Sequence, residues 1–231
     1  MDLNYIKDSK NKIGYQKIRF KYDRLMSEKN LYQKLKTQII LMEHRPGSVI
    51  REKEIMKEFG VSRTPIREAL MRLEMDGLVR IIPHVGTIVE DVSFQQLKDV
   101  FEARSYLVRL SGQLAAERIS KGEIASIRQR IEAMRSAVDT KTLMRLDGEI
   151  HKIINHSTKN EVLIKMLESL HDQAVRIWVF SGAKDGYWED LETEFTNIVD
   201  ALEQHNKEIT AQLMEEHTNR FVEHIRNQLT F

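Results

Sequence analysis

Between Arg51 and Gly77 the chain must stop one helix and start another almost at once. In the run 51–60, Arg-Glu-Lys-Glu-Ile-Met-Lys-Glu-Phe-Gly, the residues Ile55, Met56 and Phe59 form the apolar side of a short helix and Gly60 is its stop. The next run, Val-Ser-Arg-Thr-Pro-Ile-Arg-Glu-Ala-Leu (61–70), opens a second helix. Ser62 or Thr64 can cap it, and Pro65 fits because a first-turn residue has no intrahelical N–H bond to lose. Ile66, Ala69, Leu70 and Leu73 make one apolar stripe, and Gly77 stands where a left-handed cap ends a helix. Two helices joined by so short a turn form a helix-turn-helix, whose second helix enters the DNA major groove N-terminus first. Arg63, Thr64 and Arg67 lie on the face opposite the stripe, at the entering end. The same spacing is met by a solvated amphipathic helix pair carrying surface arginines.

The flanks extend this unit. Leu31, Leu35, Ile39 and Met42 recur at helical spacing, and Pro46-Gly47 turns the chain. After Leu78, two β-branched runs flank Pro83–Gly86 and read as a hairpin wing, with His84, Thr87 and the backbone at Gly86 as candidates to meet a groove or phosphate. Charge is divided unevenly: residues 1–91 carry eighteen Lys and Arg against thirteen Asp and Glu, and residues 92–231 carry eighteen against twenty-two. The N-terminal part is therefore the one suited to a polyanion.

The segment from Pro46 to Val89 is similar to the winged helix-turn-helix of GntR-family bacterial transcription regulators. That pattern runs P-G, a short helix, G-V-S-R-T-P-V-R-E-A-L, then L-x-x-x-G-L, met here by Leu73 to Leu78, and a wing glycine. The resemblance implies DNA contact by Ser62, Arg63, Thr64 and Arg67 in the recognition helix, by Arg51 or Lys53 near the helix before it, and by the wing around His84 and Gly86. An arginine can bond bidentately to a guanine edge, worth about 1–3 kcal/mol of discrimination. A lysine such as Lys53 serves better as a phosphate contact, adding affinity without specificity.

Beyond Glu90-Asp91 the signals are helical only. Ser93 and Gln96 form a capping box before a long helix with Leu97, Val100, Leu107, Leu114 and Ala115 inward. Periodic stretches follow over about 123–138, 140–156, 161–180, 188–205 and 207–229, which makes a bundle of about six helices with room for a cavity. The expected fold is mainly α, with a small β-hairpin wing in the N-terminal domain and an all-α C-terminal domain. Its divisions are an extension over 1–29, a DNA-binding domain over 30–91 and an effector-binding and dimerisation domain over 92–231.

The C-terminal part resembles the FCD-type effector domain of the FadR subgroup. That resemblance implies a divalent ion such as zinc, nickel or manganese, held by an Asp and a His four apart and by two further His on the last two helices. Asp147 and His151 match the first pair, whose spacing also suits a surface ion pair, and His217 matches the final ligand. The remaining position holds Phe195, so the shell would need water, the effector or a neighbour such as Glu194; alternatively the pocket has lost its ion and gained an apolar wall. Arg104 matches the clamp for an effector carboxylate, although a surface arginine of a helix fits the same position, and Asn160 reads as a cap.

The absence of cysteine removes disulfides and thiolate chemistry. No apolar run approaches the roughly 18 residues of a membrane helix, and the first thirty residues lack a signal-peptide core, which gives a cytoplasmic expectation. The expected function is a homodimeric repressor on a pseudo-palindromic double-stranded operator, responsive to a small carboxylate effector. Two other classes compete: a metal-dependent enzyme fused to a DNA-binding head, and a constitutive architectural DNA binder. No G-x-S-x-G or comparable nucleophile motif supports the enzyme, and a regulator without catalysis is the reading adopted.

Overall fold

Turn chemistry and apolar stripes divide the chain into two compact units that meet between Asp91 and Val92. The computed structural model describes residues 31–137, 139–181 and 190–229. The expected N-terminal extension, 1–29, and the first two residues of the stretch at 188–205 lie outside these.

In the first unit, helix α1 (31–40) precedes strand β1 (Val49–Ile50), helix α2 (Glu52–Phe59), helix α3 (Arg63–Met75) and strands β2 (Val79–Ile82) and β3 (Gly86–Val89). α2 ends on Gly60 in the left-handed region. α3 ends in a Schellman arrangement: Gly77, at φ 70°, lets Leu78 N–H return to the Leu73 carbonyl at 2.9 Å and its own N–H to that of Glu74. Pro65 falls in the first turn of α3 and is buried. Ser62 is the N-cap residue by position, but its side chain makes no capping bond, so that part of the sequence reading is corrected. The stripes of α1, α2 and α3 converge on one core with Leu35, Ile39, Ile55, Ile66, Leu70 and Leu73.

The wing is a hairpin, with Ile82 opposite Gly86 and Val79 opposite Val89. β1 adds a third antiparallel strand in the order β1-β3-β2, with Ile50 opposite Thr87. The sequence reading passed over β1, because two residues are too few to show a period.

The second unit contains six helices among the described residues: α4 (Phe94–Arg118), α5 (Lys121–Arg135), α6 (Thr140–Ser157), α7 (Glu161–Ser181), α8 (Leu191–Glu203) and α9 (Lys207–Leu229). Ser93 caps α4 by accepting the Gln96 N–H, but the Gln96 side chain reaches Gln173 on α7 instead of completing a box. The complete capping box belongs to Ser120 and Glu123 at the start of α5. Asn160 accepts from the N–H groups of Val162 and Leu163, the capping role expected of it. Leu97, Val100 and Ala115 are buried as expected, while Leu107 and Leu114 lie partly buried against the core. That core includes Ile150, Ile154, Leu167, Phe195, Leu202 and Met214, and these positions set the inward faces of α6, α7, α8 and α9. No described helix is long and apolar enough to cross a membrane.

Candidate nucleic-acid interface and candidate metal centre

The apolar side of α3 is spent on the core, which leaves its other side to water. Ser62, Arg63, Thr64 and Arg67 are all exposed, as are Arg51 and Lys53 at the start of α2. Arg51 pairs with Glu54 at 3.4 Å, and the Nε of Arg67 donates to Glu52 Oε1 at 3.0 Å. At the wing tip His84 is exposed and holds a φ of 65°, and Gly86 holds 126°, so the tip depends on left-handed backbone. One groove on this unit is lined by Arg51, Glu52, Arg67, His84, Gly86 and Thr87, among others. Thr87 is itself 5% exposed, so its side chain is a core group and not the wing contact expected from sequence. Arg63 and Thr64 stand at the tip of α3, outside that groove's lining.

In the second unit, the i, i+4 spacing on α6 turns Asp147 and His151 toward α9, where His217 meets them. Nε2 of His151 and Nε2 of His217 are 3.0 Å apart, and Asp147 Oδ1 lies 3.8 Å and 3.5 Å from them. Ligand atoms held at about 2.0–2.1 Å by a tetrahedral zinc stand about 3.4 Å from one another. All three separations are thus close to those of atoms sharing one ion. Asp147 Oδ1 is also buried with no hydrogen-bond partner among the described residues, an orphaned acceptor of the kind a cation satisfies. The residues present therefore fit a divalent ion.

The groups around this trio set its charge. Glu194, one residue before Phe195, accepts from His217 Nδ1 at 2.8 Å and also pairs with Arg220. It occupies the outer nitrogen of His217 and orients the ring, which is a supporting place and not the ligand place considered from sequence. Burial works against a proton on His217, but Asp147 and Glu194 outweigh it and raise its pKa. Burial pushes His151 well below its ordinary value, Asp147 opposing and His217 and Arg104 adding to the fall. Burial alone would raise Asp147, yet the imidazoles beside it hold its carboxyl far below the usual range. Nδ1 of His217 is thus held by Glu194, and its Nε2 faces Nε2 of His151.

Phe195 is fully buried, and its ring centre lies 4.9 Å from that of His217 and 5.7 Å from that of His151. Arg104 is 5% exposed and lines a cavity of about 20 Å³ together with Met144, Asp147, His151, His171 and His217. A helix-surface position for Arg104 is thereby overturned. The cavity has room for one water or ion.

His171 on α7 is the pocket residue that sequence reading missed. Its Nδ1 is buried without a hydrogen bond, and burial, with Arg104 next in weight, lowers its pKa to about 4. A signal existed in Gly148, a glycine inside a helix: a Cβ there would stand 3.2 Å from His171 Nε2.

Comparison with known proteins places both units. The FCD domain model matches residues 99–220, and the model for bacterial regulatory proteins of the gntR family matches 27–89. An uncharacterized HTH-type transcriptional regulator, YdhC of Bacillus subtilis, is 27% identical over 202 residues, covering 86% of this chain and 90% of that one. The HTH-type transcriptional repressor RspR of Escherichia coli is 25% identical over 199 residues, covering 85% and 87%. Among solved structures, E. coli McbR/YncC shares the fold with a TM-score of 0.77 at 21% identity, over 88% of this chain and 99% of that one.

Proposed function

Because the chain belongs to the GntR family of bacterial regulatory proteins and carries an FCD domain, we propose that it is a homodimeric repressor controlled by a small acid. The family and the relatives named above are DNA-binding transcriptional regulators, not enzymes. Two recognition helices in a dimer would address a pseudo-palindromic operator, with Arg63 and Arg67 reading bases, Ser62 and Thr64 beside them, and Arg51, Lys53, His84 and Gly86 on the backbone or adjacent groove. The exposure of Arg63, Thr64 and Arg67 on one side of a helix whose other side is core carries this assignment.

The reading of the second unit rests on the convergence of Asp147, His151 and His217 beside buried Arg104. These three would hold a divalent ion such as zinc, nickel or manganese, which when bound offers an open position to a carboxylate. Arg104 supplies a counter-charge to that acid, Glu194 keeps His217 in its binding orientation, and Phe195 excludes water from one side. Linkage constrains the switch: an acid that weakens operator binding must itself bind less well to the DNA complex, by the same factor.

The test uses the purified chain and DNA selected by it from a random pool. Elemental analysis is expected to find about one divalent ion per chain, and candidate carboxylates to shift operator affinity in anisotropy titrations. Arg63→Ala and Arg67→Ala are each expected to lose about 1–3 kcal/mol of discrimination. Unchanged selectivity in both variants refutes the operator reading, and a chain that never retains stoichiometric metal refutes the ion.

A further inference from the structure

Arg63 and Arg67 are both exposed on the entering end of α3, yet they are held differently. Arg63 has no hydrogen-bond or ion-pair partner among the described residues, whereas Arg67 gives its Nε–H to Glu52, the first residue of α2, fifteen positions earlier in the chain. The bond crosses the helix-turn-helix and fixes one edge of the guanidinium. The end carrying Nη1 and Nη2 stays available, and that end can address guanine O6 and N7 together. The Arg67 side chain is 65% exposed and Glu52 31%, so the pair adds little to folding. Its effect is conformational: a long arginine side chain that is already oriented loses less rotamer freedom when it meets a base.

Glu52 also carries a negative charge into a groove lined by Arg51, Arg67 and His84. Against a polyanion, that charge weakens every complex, specific or not. Repulsion is common to all DNA, whereas orientation returns the loss only at the right base pair, and it is the orientation that widens the ratio between specific and non-specific binding.

We infer that Glu52 is a specificity-determining positioning residue, which fixes Arg67 for one base pair of the operator half-site and suppresses binding to unrelated DNA. The inference rests on the reading of Arg67 as a base contact, and the experiment separates the two. Full-length wild type, Arg67→Ala, Glu52→Ala, Glu52→Asp and Glu52→Gln are each used to select DNA from a random pool, and their affinities for the wild-type consensus and for random-sequence duplex are measured. Arg67→Ala should erase preference at one position of each half-site. Glu52→Ala should relax that same position about tenfold while binding random duplex several-fold more tightly. Glu52→Asp keeps the charge at the helix start but falls one methylene short of Arg67, so it should relax the position without tightening random binding. Glu52→Gln keeps an acceptor for Nε–H, so it should retain the preference and still bind random duplex more tightly.

Full preference at the Arg67 position in both Glu52→Ala and Glu52→Asp overturns the inference. So does a uniform loss of affinity for all DNA with a lowered melting temperature, the signature of a brace between two helices. If Arg67→Ala leaves the consensus intact, the base-contact reading fails, and the inference with it.

Discussion

Replacing Phe195 with histidine tests whether this pocket is a tetrahedral ion site with one ligand exchanged for an apolar wall. An imidazole bound through a ring nitrogen places its ring centre about 3.2 Å from a zinc held at about 2.1 Å, so two such rings at the tetrahedral angle stand about 5.2 Å apart. The centres of His151 and His217 are 5.0 Å apart, and Phe195 stands 4.9 Å from the second and 5.7 Å from the first. Both distances are near those that a third imidazole on the same ion would have. Without metal, Phe195→Ile would lose mainly packing, whereas Phe195→His buries a polar ring with no partner at a fully enclosed position, at a cost of about 1–3 kcal/mol. In a domain of this size that lowers the melting temperature by roughly 2–4 °C for each kcal/mol.

With zinc the sign reverses. A fourth protein ligand is expected to lower Kd about 10- to 100-fold, or by about 1.4–2.7 kcal/mol. Melting scans in chelator and in a fixed excess of zinc, with competition titrations for Kd, measure both halves. Expected is a variant less stable than wild type in chelator and stabilised more than wild type by zinc. Equal zinc affinity in wild type and Phe195→His, with the loss in chelator present, would refute the placement of residue 195 in the shell.

Two other outcomes follow from the same network. Glu194→Ala should weaken metal binding by about 10- to 100-fold without removing a ligand, because His217 loses the acceptor on its Nδ1; isothermal titration measures it, and an unchanged Kd would remove Glu194 from that role. Metal affinity should also fall with acidification. The pKa of His217 is raised, so its proton persists to a higher pH than usual and must leave before Nε2 can bind; below that pKa, Kd should weaken about tenfold per pH unit for the one proton released, checked by titrations in buffers of different ionisation enthalpy. In chelator the sign is opposite for His217: its pairing stabilises the fold fully below its unfolded pKa, and the contribution is lost as pH rises through the raised folded value.

The parts most legible in the sequence are those where local chemistry decides. Gly60, Pro65 and Gly77 fix the ends of α2 and α3 through backbone geometry alone, and the six stretches of the second unit run close to α4 to α9 because each carries its own apolar stripe. The trio of Asp147, His151 and His217 was legible in two ways: i, i+4 spacing supplied the first two residues, while only a family resemblance could choose His217 from eight histidines. What stayed hidden depends on residues far apart in the chain. β1 exists because β3 offers it an edge, the side chain of Gln96 leaves its own cap for α7, and Thr87 faces the core because its register sets it opposite Ile50 and Ile81. His171 has no periodic or motif signal of its own; only its approach to Gly148 betrays it.

The charge of the pocket supports an acidic effector without appeal to any relative. Among the titratable groups that line the cavity, Asp147 brings one negative charge and Arg104 one positive, while His151 and His171 have pKa values lowered by burial. Outside the lining, Glu194 is balanced by Arg220. A divalent ion held by Asp147, His151 and His217 would leave the lining positive, in surroundings where uncompensated charge is costly. An ion held by Asp147, His151 and His217 would therefore favour an anion beside Arg104, while Phe195 adds neither charge nor donor to that wall of the pocket.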